Sequence, residues 1–300
     1  MFLNGLITND MKTLAVNSWM PAIFPNVQGR LLAAVRIIHR DDGFLIDTES
    51  ATHDKVVSLL DRFTMAGDFR LTDLTRQTAS YSVQGPKAAE VMRRVLGEAA
   101  ANLEPLRAVT VNLAGRNVNV IRATHTAEDG FDLFVDARDA EQVRDSLIAG
   151  GAEPINEEVA ETLRIEAGIP RYDIDMDETT VVTETNLDDA VSFTKGCYVG
   201  QEIIVRIKHR GHVAKKMTGI ILEEKSELEN GAQIFSAEDK EIGRIRSSTF
   251  SPRLDRTIGF AYVKYDFLTP GTDVTIQSNS GRLAGKVAEL PFVRGSWYQD

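Results

Sequence analysis

Cysteine, positive charge and long apolar runs are all scarce in this sequence of 300 residues. The single cysteine, Cys197, excludes an internal disulfide, and one thiolate cannot hold an iron–sulfur cluster, which normally takes four ligands. No apolar run approaches the roughly 20 residues of a membrane-spanning helix. The first residues also lack the basic stretch followed by an apolar one that marks a signal peptide. We therefore expect a cytoplasmic protein with no membrane partner.

The net charge is −10, from 34 basic and 44 acidic side chains. Proteins that grip nucleic acid usually have a basic surplus, so this balance argues against direct RNA binding as the main function. His209 and His212 have no neighbours in the sequence that would complete a metal site, and none is predicted. The hydrophobic share of 43% and the charged share of 26% are typical of a globular protein.

Periodicity predicts a mixed α+β fold. Alternating segments predict strands within residues 19–49 and 107–135, and helical spacing predicts an amphipathic helix at 54–66. Asn156 is expected to cap a later helix. Beyond residue 213, short strands separated by turn residues predict a small antiparallel barrel. We thus predict three modules, spanning residues 1–105, 106–212 and 213–300.

The most unusual segment is TKGCYVGQE, at residues 194–202. Its glycines predict a tight loop around the cysteine. Lys195 precedes Cys197 by two residues, and Arg206 follows in the run IIVRIKHRG, which we interpret as a strand. Nearby cations would favour the reactive thiolate form of Cys197. A lone cysteine is also often a small buried hydrophobe, so from these residues alone both interpretations stay open.

Four segments resemble a known family. KGCYVGQE matches the K-G-C-Y/F-x-G-Q-E motif of YgfZ-type proteins, and FLNGLITND looks like that family's F-L-x-G-x-x-T-N-D. LRIEAGIPRYD resembles the L-R-x-E-x-G-x-P segment shared with the glycine-cleavage T-protein, and GRIRSSTFSPRLDRTIGFAYV resembles the C-terminal barrel of the same family. The resemblance covers nearly the whole chain. It implies the T-protein fold, with three modules packed around a channel that receives tetrahydrofolate.

This resemblance also implies roles for individual residues. Glu166 matches the glutamate that recognises the pterin ring, and a carboxylate can accept two hydrogen bonds from that ring's N–H edge. The alternative is a helix glutamate facing solvent. Asn9 and Asp10 match the T-N-D segment, which lines the channel or shapes a turn. We predict a reactive thiol at Cys197 with Lys195 beside it, and a folate site formed by Glu166, Asn9, Asp10, Arg206 and Tyr198.

The basic run after the motif has two interpretations. Arg206, Lys208 and Arg210 alternate along the predicted strand, so they would share one face. The anionic tail of a folate or an RNA phosphate could bind there. Alternatively, the face is solvated and forms ion pairs with the surplus acids.

One departure from the T-protein concerns its acidic pair, which follows two glycines and includes an aspartate needed for aminomethyl transfer. Aligned on N-x-Q-G, this chain has Ala33 and Ala34 at those positions. An alanine can neither act as a base nor stabilise an iminium ion, so we expect that reaction to lack its main group. The sequence favours a tetrahydrofolate-binding accessory protein that supports assembly or repair of iron–sulfur enzymes, tRNA-modifying ones included. The alternatives are a folate-dependent aminomethyltransferase or other one-carbon transferase, and an RNA-interaction module.

Overall fold

The computed structural model describes residues 2–64, 69–279 and 281–298, with the side chain of Arg210 outside the described part. Its strands form two open antiparallel sheets and one closed barrel, which confirms the predicted α+β fold with a C-terminal barrel. Within the described ranges, no helix is both long and apolar enough to cross a membrane.

The first sheet has three antiparallel strands in the order β1-β2-β3. Strand β2 alternates buried and partly buried side chains, so each of its faces packs against a different part of the molecule. Ala33, Val35 and Ile37 pack on one face against the first helix. The elements are β1 (Ser18–Pro25), β2 (Leu31–Arg40), β3 (Gly43–Thr48) and helix α1 (His53–Thr64). Helix α1 confirms the amphipathic helix predicted at 54–66, whose last two residues lie outside the described ranges.

The second sheet has four antiparallel strands in the order β4-β7-β6-β5, with helices packed on one face. Its first strand precedes residue 105 and the other three follow it, so the module boundary predicted at 105 falls between strands of one sheet. The elements are β4 (Thr78–Gln84), α2 (Ala88–Leu96), α3 (Glu98–Ala101), β5 (Ala108–Leu113), β6 (Arg116–Arg122), β7 (Gly130–Asp136) and α4 (Ala140–Ala149).

Helix α5 (Glu157–Glu166) follows, and it begins where predicted because the Asn156 side chain accepts a hydrogen bond from the Val159 N–H. The strand predicted for IIVRIKHRG is wrong, since residues Gln201–Arg210 form helix α6. Successive helical residues are rotated by about 100°, so side chains two apart point in nearly opposite directions. Arg206 and Lys208, both exposed, therefore do not form the shared basic face that was predicted.

The last module is a six-stranded barrel closed in the order β10-β11-β8-β13-β12-β9. Closure pairs both edges of every strand, which removes exposed sheet edges. Helix α5 packs against β10 and β11 and so joins the barrel to the rest of the chain. The strands are β8 (Lys215–Leu222), β9 (Gln233–Phe235), β10 (Glu241–Ser251), β11 (Arg256–Lys264), β12 (Asp273–Ser278) and β13 (Gly281–Ala288).

Candidate functional site

A cavity of about 950 Å³ lies between the second sheet, helix α4 and helix α5. Its wall is predominantly apolar, with a few polar and charged groups on it. A concave, largely apolar space of this size is the usual form of a small-molecule site. The charged and polar lining residues include Glu49, Gln84, His125, Glu128, Arg144, Glu157, Glu161, Arg164 and Arg171.

Arg164 ties the cavity wall to the barrel. Its Nη1 donates to Asp175 Oδ2 (2.7 Å) and its Nε donates to Glu161 Oε2 (2.9 Å). The hydrogen bond from Arg164 lowers the pKa of Glu161. Ser247 in β10 donates to the other oxygen of Asp175, a carboxylate with no solvent exposure. Because this buried charge is paired from two elements, the network fixes α5 against the barrel.

Glu166 lies at the end of α5, on the side that faces the barrel. It is buried, accepts a hydrogen bond from the Ser251 hydroxyl, and its backbone carbonyl accepts one from Val293 N (2.9 Å). The alternative of a solvent-facing helix glutamate is therefore wrong. Glu166 is not among the lining residues of the cavity. Its assignment to the pterin ring stays a prediction.

The motif loop, defined here as residues 195–200, packs against the N-terminal segment. Lys195 Nζ donates to the backbone carbonyls of Asn4 (2.6 Å), Ile7 (3.0 Å) and Asn9 (2.6 Å). Burial lowers the pKa of Lys195 to about 8 against the opposing charge of Asp10, so its ammonium group persists at neutral pH. Three carbonyls match the three hydrogens of that ammonium. Lys195 therefore serves as a clamp on the chain's first turns.

The predicted pairing of Lys195 with Cys197 has no support in this geometry. Cys197 is exposed, which excludes the buried-hydrophobe interpretation. Across the described ranges, no hydrogen bond joins its sulfur to Lys195 or to Arg206. The exposed Arg206 instead borders a small pocket beside His212, at the end of α6.

Asn9 and Asp10 lie close to Lys195 but have structural partners. Asn9 Nδ2 donates to the carbonyls of Pro21 (2.8 Å) and Asp189 (3.1 Å), and the Asp10 carboxylate caps a short helical turn by accepting from Lys12 N (3.1 Å). Of the two interpretations of the T-N-D segment, these contacts match the one in which it shapes a turn.

Tyr198 is buried beneath Lys195, whose Nζ lies 5.1 Å from the centre of the ring. Burial raises the pKa of Tyr198 to about 12. Its hydroxyl has no hydrogen-bond partner in the part of the chain that the structure describes. Lys195 of the motif loop thus lies beside Asn9, Asp10 and Tyr198, whereas Glu166 and Arg206 lie elsewhere.

A close approach of two turns explains Gly200. Its φ is 76°, and a Cβ atom there would lie 2.3 Å from the carbonyl oxygen of Asn26 and 3.2 Å from Gly29 Cα. Gly29 in turn has a φ of 69° and packs against the first turn of α6. The motif loop and the N-V-Q-G turn therefore fit together only because both positions are glycine.

Strand β2 has no carboxylate where the T-protein resemblance placed an acidic pair. Ala33 is buried in the core beneath α1, while Ala34 lies on the opposite face together with Arg36. Two positions along a strand correspond to about 7 Å. Arg36 is therefore the next side chain on the face where an acid at position 34 would have been.

Arg36 contacts the buried carboxylate of Asp132, which in turn contacts the imidazole of His125. The sequence did not single out either group. The Nε and Nη2 of Arg36 donate to Asp47 Oδ2 (2.8 and 2.6 Å), and its Nη1 donates to Asp132 Oδ2. The same Asp132 oxygen lies 2.7 Å from His125 Nε2. The Asp132 side chain is 4% exposed and that of His125 is 44% exposed, so the carboxylate is inside and the ring lines the cavity.

The charge state of Asp132 follows from these partners. Burial acts to raise its pKa, but His125 and Arg36 outweigh burial and hold the pKa well below its usual range. Asp132 is therefore an ionised carboxylate, which can only accept hydrogen bonds. The hydrogen between Asp132 and His125 must then belong to Nε2 of the imidazole. Nothing in the sequence around Asp132, which stands between apolar residues of β7, marks it as a buried charge.

Comparison with known proteins finds two matching family models. The GCVT N-terminal domain matches residues 1–195, and the glycine cleavage T-protein C-terminal barrel domain matches residues 215–294. Among curated proteins, the chain is 28% identical to the aminomethyltransferase of Halalkalibacterium halodurans over 98% of this chain and 81% of that protein. It is 29% identical to the aminomethyltransferase of Geobacillus kaustophilus over 98% of this chain and 82% of that protein.

One solved structure of the same fold is the glycine cleavage system aminomethyltransferase T from Bartonella henselae. It matches with a TM-score of 0.86 over 98% of this chain and 81% of that chain, at 21% sequence identity. At this identity the likeness concerns the fold alone.

Proposed function

Because the chain belongs to the glycine-cleavage T-protein family, we propose that it is a folate-dependent aminomethyltransferase that binds tetrahydrofolate in the cavity beside α5. The observation that carries the proposal is the match to both domains of the family, in chain order, together with a ligand-sized cavity at the junction of the modules. The curated relatives named aminomethyltransferase align along nearly all of this chain. These matches favour the transferase over the accessory role that the motif alone had suggested.

The cavity residues fit the chemistry of a reduced folate. A pterin ring presents N–H donors, which carboxylates accept, and the glutamate tail presents carboxylates, which arginines bind. The cavity supplies both kinds of group, in Glu49, Glu157 and Glu161 and in Arg144 and Arg171. Arg171 holds Glu49 and Glu161 only loosely, at 3.9 Å each, so it can turn to an anionic ligand with little loss.

The absence of an acid at position 34 restricts how a transfer could occur. A bound tetrahydrofolate supplies the amine nitrogen that accepts the one-carbon unit. The protein must orient that nitrogen, exclude water and hold the proton that the nitrogen releases. Ala33 and Ala34 can do none of the proton chemistry, so another group on the wall has to supply it.

Thermal unfolding with and without tetrahydrofolate tests the binding. Ligand at 100 times its Kd adds about 2.7 kcal/mol to the native state. This corresponds to a rise of several degrees in Tm, at about 2–4 °C per kcal/mol. Arg171→Ala should lose part of the rise. Arg138→Ala, which removes an arginine paired with Asp136 outside the cavity, should keep it. The absence of any shift in the wild type would overturn the proposal.

Turnover is the second requirement of the proposal. The wild type, supplied with the other glycine-cleavage components and tetrahydrofolate, should release ammonia from the aminomethylated carrier. Binding without turnover would leave a folate-binding protein and exclude the transferase.

A second candidate function rests on the exposed part of the motif loop. Gly196 and Cys197 face solvent while the residues around them are fixed, so the thiol is available to a partner protein. This supports a role for Cys197 in maintaining iron–sulfur client enzymes, tRNA-modifying ones included. Cys197→Ser should then abolish function in a deletion strain while a folate-induced rise in Tm remains. Full rescue by the variant would exclude this role.

A further inference from the structure

The His125–Asp132 pair is built like the proton-transfer groups of enzymes. We propose that His125 is the proton acceptor of the cavity, with Asp132 and Arg36 as its positioning residues, in place of the carboxylate that position 34 lacks. This inference rests on the proposed transferase function and specifies its chemistry.

First, the imidazole has one defined tautomer. Asp132 is ionised and accepts from His125 Nε2 at 2.7 Å, so in the neutral ring the hydrogen is on Nε2 and the lone pair is on Nδ1. Within the described ranges, Nδ1 has no hydrogen-bond partner. A ring held in this way can take a proton at Nδ1 and become an imidazolium ion that Asp132 stabilises.

Second, the carboxylate cannot move away. Asp132 is buried in β7 and is also held by Arg36, which is fixed in turn by two hydrogen bonds to Asp47. The backbone N–H of His125 donates to the Gln84 side chain (2.9 Å), which fixes the loop that carries the ring. An oriented base on a fixed support is what proton transfer requires, because a small displacement lowers the rate strongly.

Third, the His125–Asp132 pair lies where a ligand bound in the cavity can contact it. The His125 ring is 44% exposed and lines the cavity, so a ligand can reach it. Arg36 Nη1 lies 3.4 Å from His125 Nε2, and Arg36 is on the same face of β2 as Ala34, about 7 Å along the strand. Arg36 therefore connects the His125–Asp132 pair to the strand that carries position 34, where the family resemblance expects an acid.

Fourth, the proton transfer balances. Release of ammonia from the aminomethylated carrier would take two bond exchanges at the carbon, with the carrier as the leaving group of one and ammonia as the leaving group of the other. In each exchange an amine nitrogen of the acceptor would bond to the carbon, and the electron pair of the broken bond would go with the leaving group. The proton released by that nitrogen would move to His125 Nδ1 and then to the leaving group, which restores the neutral ring each time.

The first test measures turnover and binding together. His125→Gln should lower kcat by a factor on the order of 10²–10⁴, the usual contribution of a general base. Its KM and its tetrahydrofolate-induced rise in Tm should stay close to wild type. Asp132→Asn should also lower kcat with little change in KM. The matched control is His53→Gln, which removes an imidazole held by Asp54 and Asp73 outside the cavity and should leave turnover unchanged.

The second test reads the state of the imidazole without turnover. Diethyl pyrocarbonate acylates neutral imidazole nitrogens, and mass spectrometry of the full-length protein reports the rate at each histidine. His125 should react in the free wild type and be protected by tetrahydrofolate, whereas His53 should show no protection. In the Asp132→Asn variant, the acylation rate should differ from that of the wild type at His125 and at no other histidine.

The outcomes separate the two proposals. A wild type without a folate-induced shift or without turnover overturns the proposed function and the role of His125 with it. A wild type that binds and turns over, beside a His125→Gln variant of equal kcat, overturns the role of His125 alone. Equal acylation of His125 with and without tetrahydrofolate, in a wild type whose Tm rises, also overturns it.

Discussion

The buried polar side chains of the motif loop and those of the cavity wall differ in function. In the motif loop, Lys195, Tyr198 and Gly200 are buried or sterically enclosed and hold the loop to the start of the chain. At the cavity wall, His125 and Asp132 combine burial, charge and access to a ligand-sized space. The loop is conspicuous in the sequence, yet most of it supports the fold. The residues of the cavity wall form no recognisable sequence motif, yet the wall brings together His125 and Asp132, the groups that can transfer a proton.

This difference has a physical origin. A short motif is recognisable when neighbouring residues must satisfy one local geometry, and the three carbonyls around Lys195 together with the close approach at Gly200 impose such a geometry. A reactive group at a cavity needs partners from distant strands. Arg36 and Asp132 are 96 residues apart in the chain and meet only because β2 and β7 are brought together by the fold.

The largest expected effect in the motif loop belongs to Lys195→Met. This change leaves the carbonyls of Asn4, Ile7 and Asn9 without their donor, and each buried unsatisfied group costs about 1–3 kcal/mol. We expect the free energy of unfolding in urea to fall by about 3 kcal/mol or more. Lys12→Met, which changes an exposed lysine in the same segment, should stay within about 0.5 kcal/mol of wild type. Similar midpoints for both variants would contradict the clamp.

The next largest effect on stability is expected at one of two glycines in the motif loop. Gly200→Ala places a Cβ atom 2.3 Å from the Asn26 carbonyl oxygen at a φ of 76°, so both a backbone clash and a left-handed conformation oppose it. We expect a loss of about 2–4 kcal/mol in unfolding free energy.

The matched change is Gly196→Ala in the same loop, where a Cβ atom would meet nothing within 4 Å. It should alter unfolding by less than about 0.5 kcal/mol. Equal losses at the two positions would mean that the loop responds as a whole to any added atom.

The fold was largely predictable from the sequence, because it depends on local periodicity. The α1 helix, the Asn156 cap and the C-terminal barrel follow from apolar spacing, a capping residue and turn residues. Helix α6 was predicted wrongly as a strand. Its basic residues alternate with apolar ones, as in a strand, although Ile203, Ile204 and Ile207 are also spaced as on one face of a helix.

The candidate site was predictable only in part. Family resemblance drew attention to Glu166, and the structure adds that this carboxylate is buried against Ser251 in the barrel. No motif singles out His125 in the sequence, because a lone histidine in a loop has many ordinary explanations. Asp132 stands between apolar residues of β7, and no local pattern marks it as buried. Its burial is compensated by Arg36, which is 96 residues away in the sequence, and by His125, which a loop seven residues away brings beside it.

The smallest expected effect on stability is that of Cys197→Ser. The side chain is exposed and has no hydrogen-bond partner in the described part of the chain, so unfolding should change by less than about 0.5 kcal/mol. The wild-type thiol should also react with iodoacetamide at nearly the same rate in the native and the urea-unfolded protein. Much slower native labelling would place the sulfur inside the loop. The contrast between Cys197 and its buried neighbours, Lys195 and Tyr198, would then disappear, and with it the argument that the loop presents a thiol to partners.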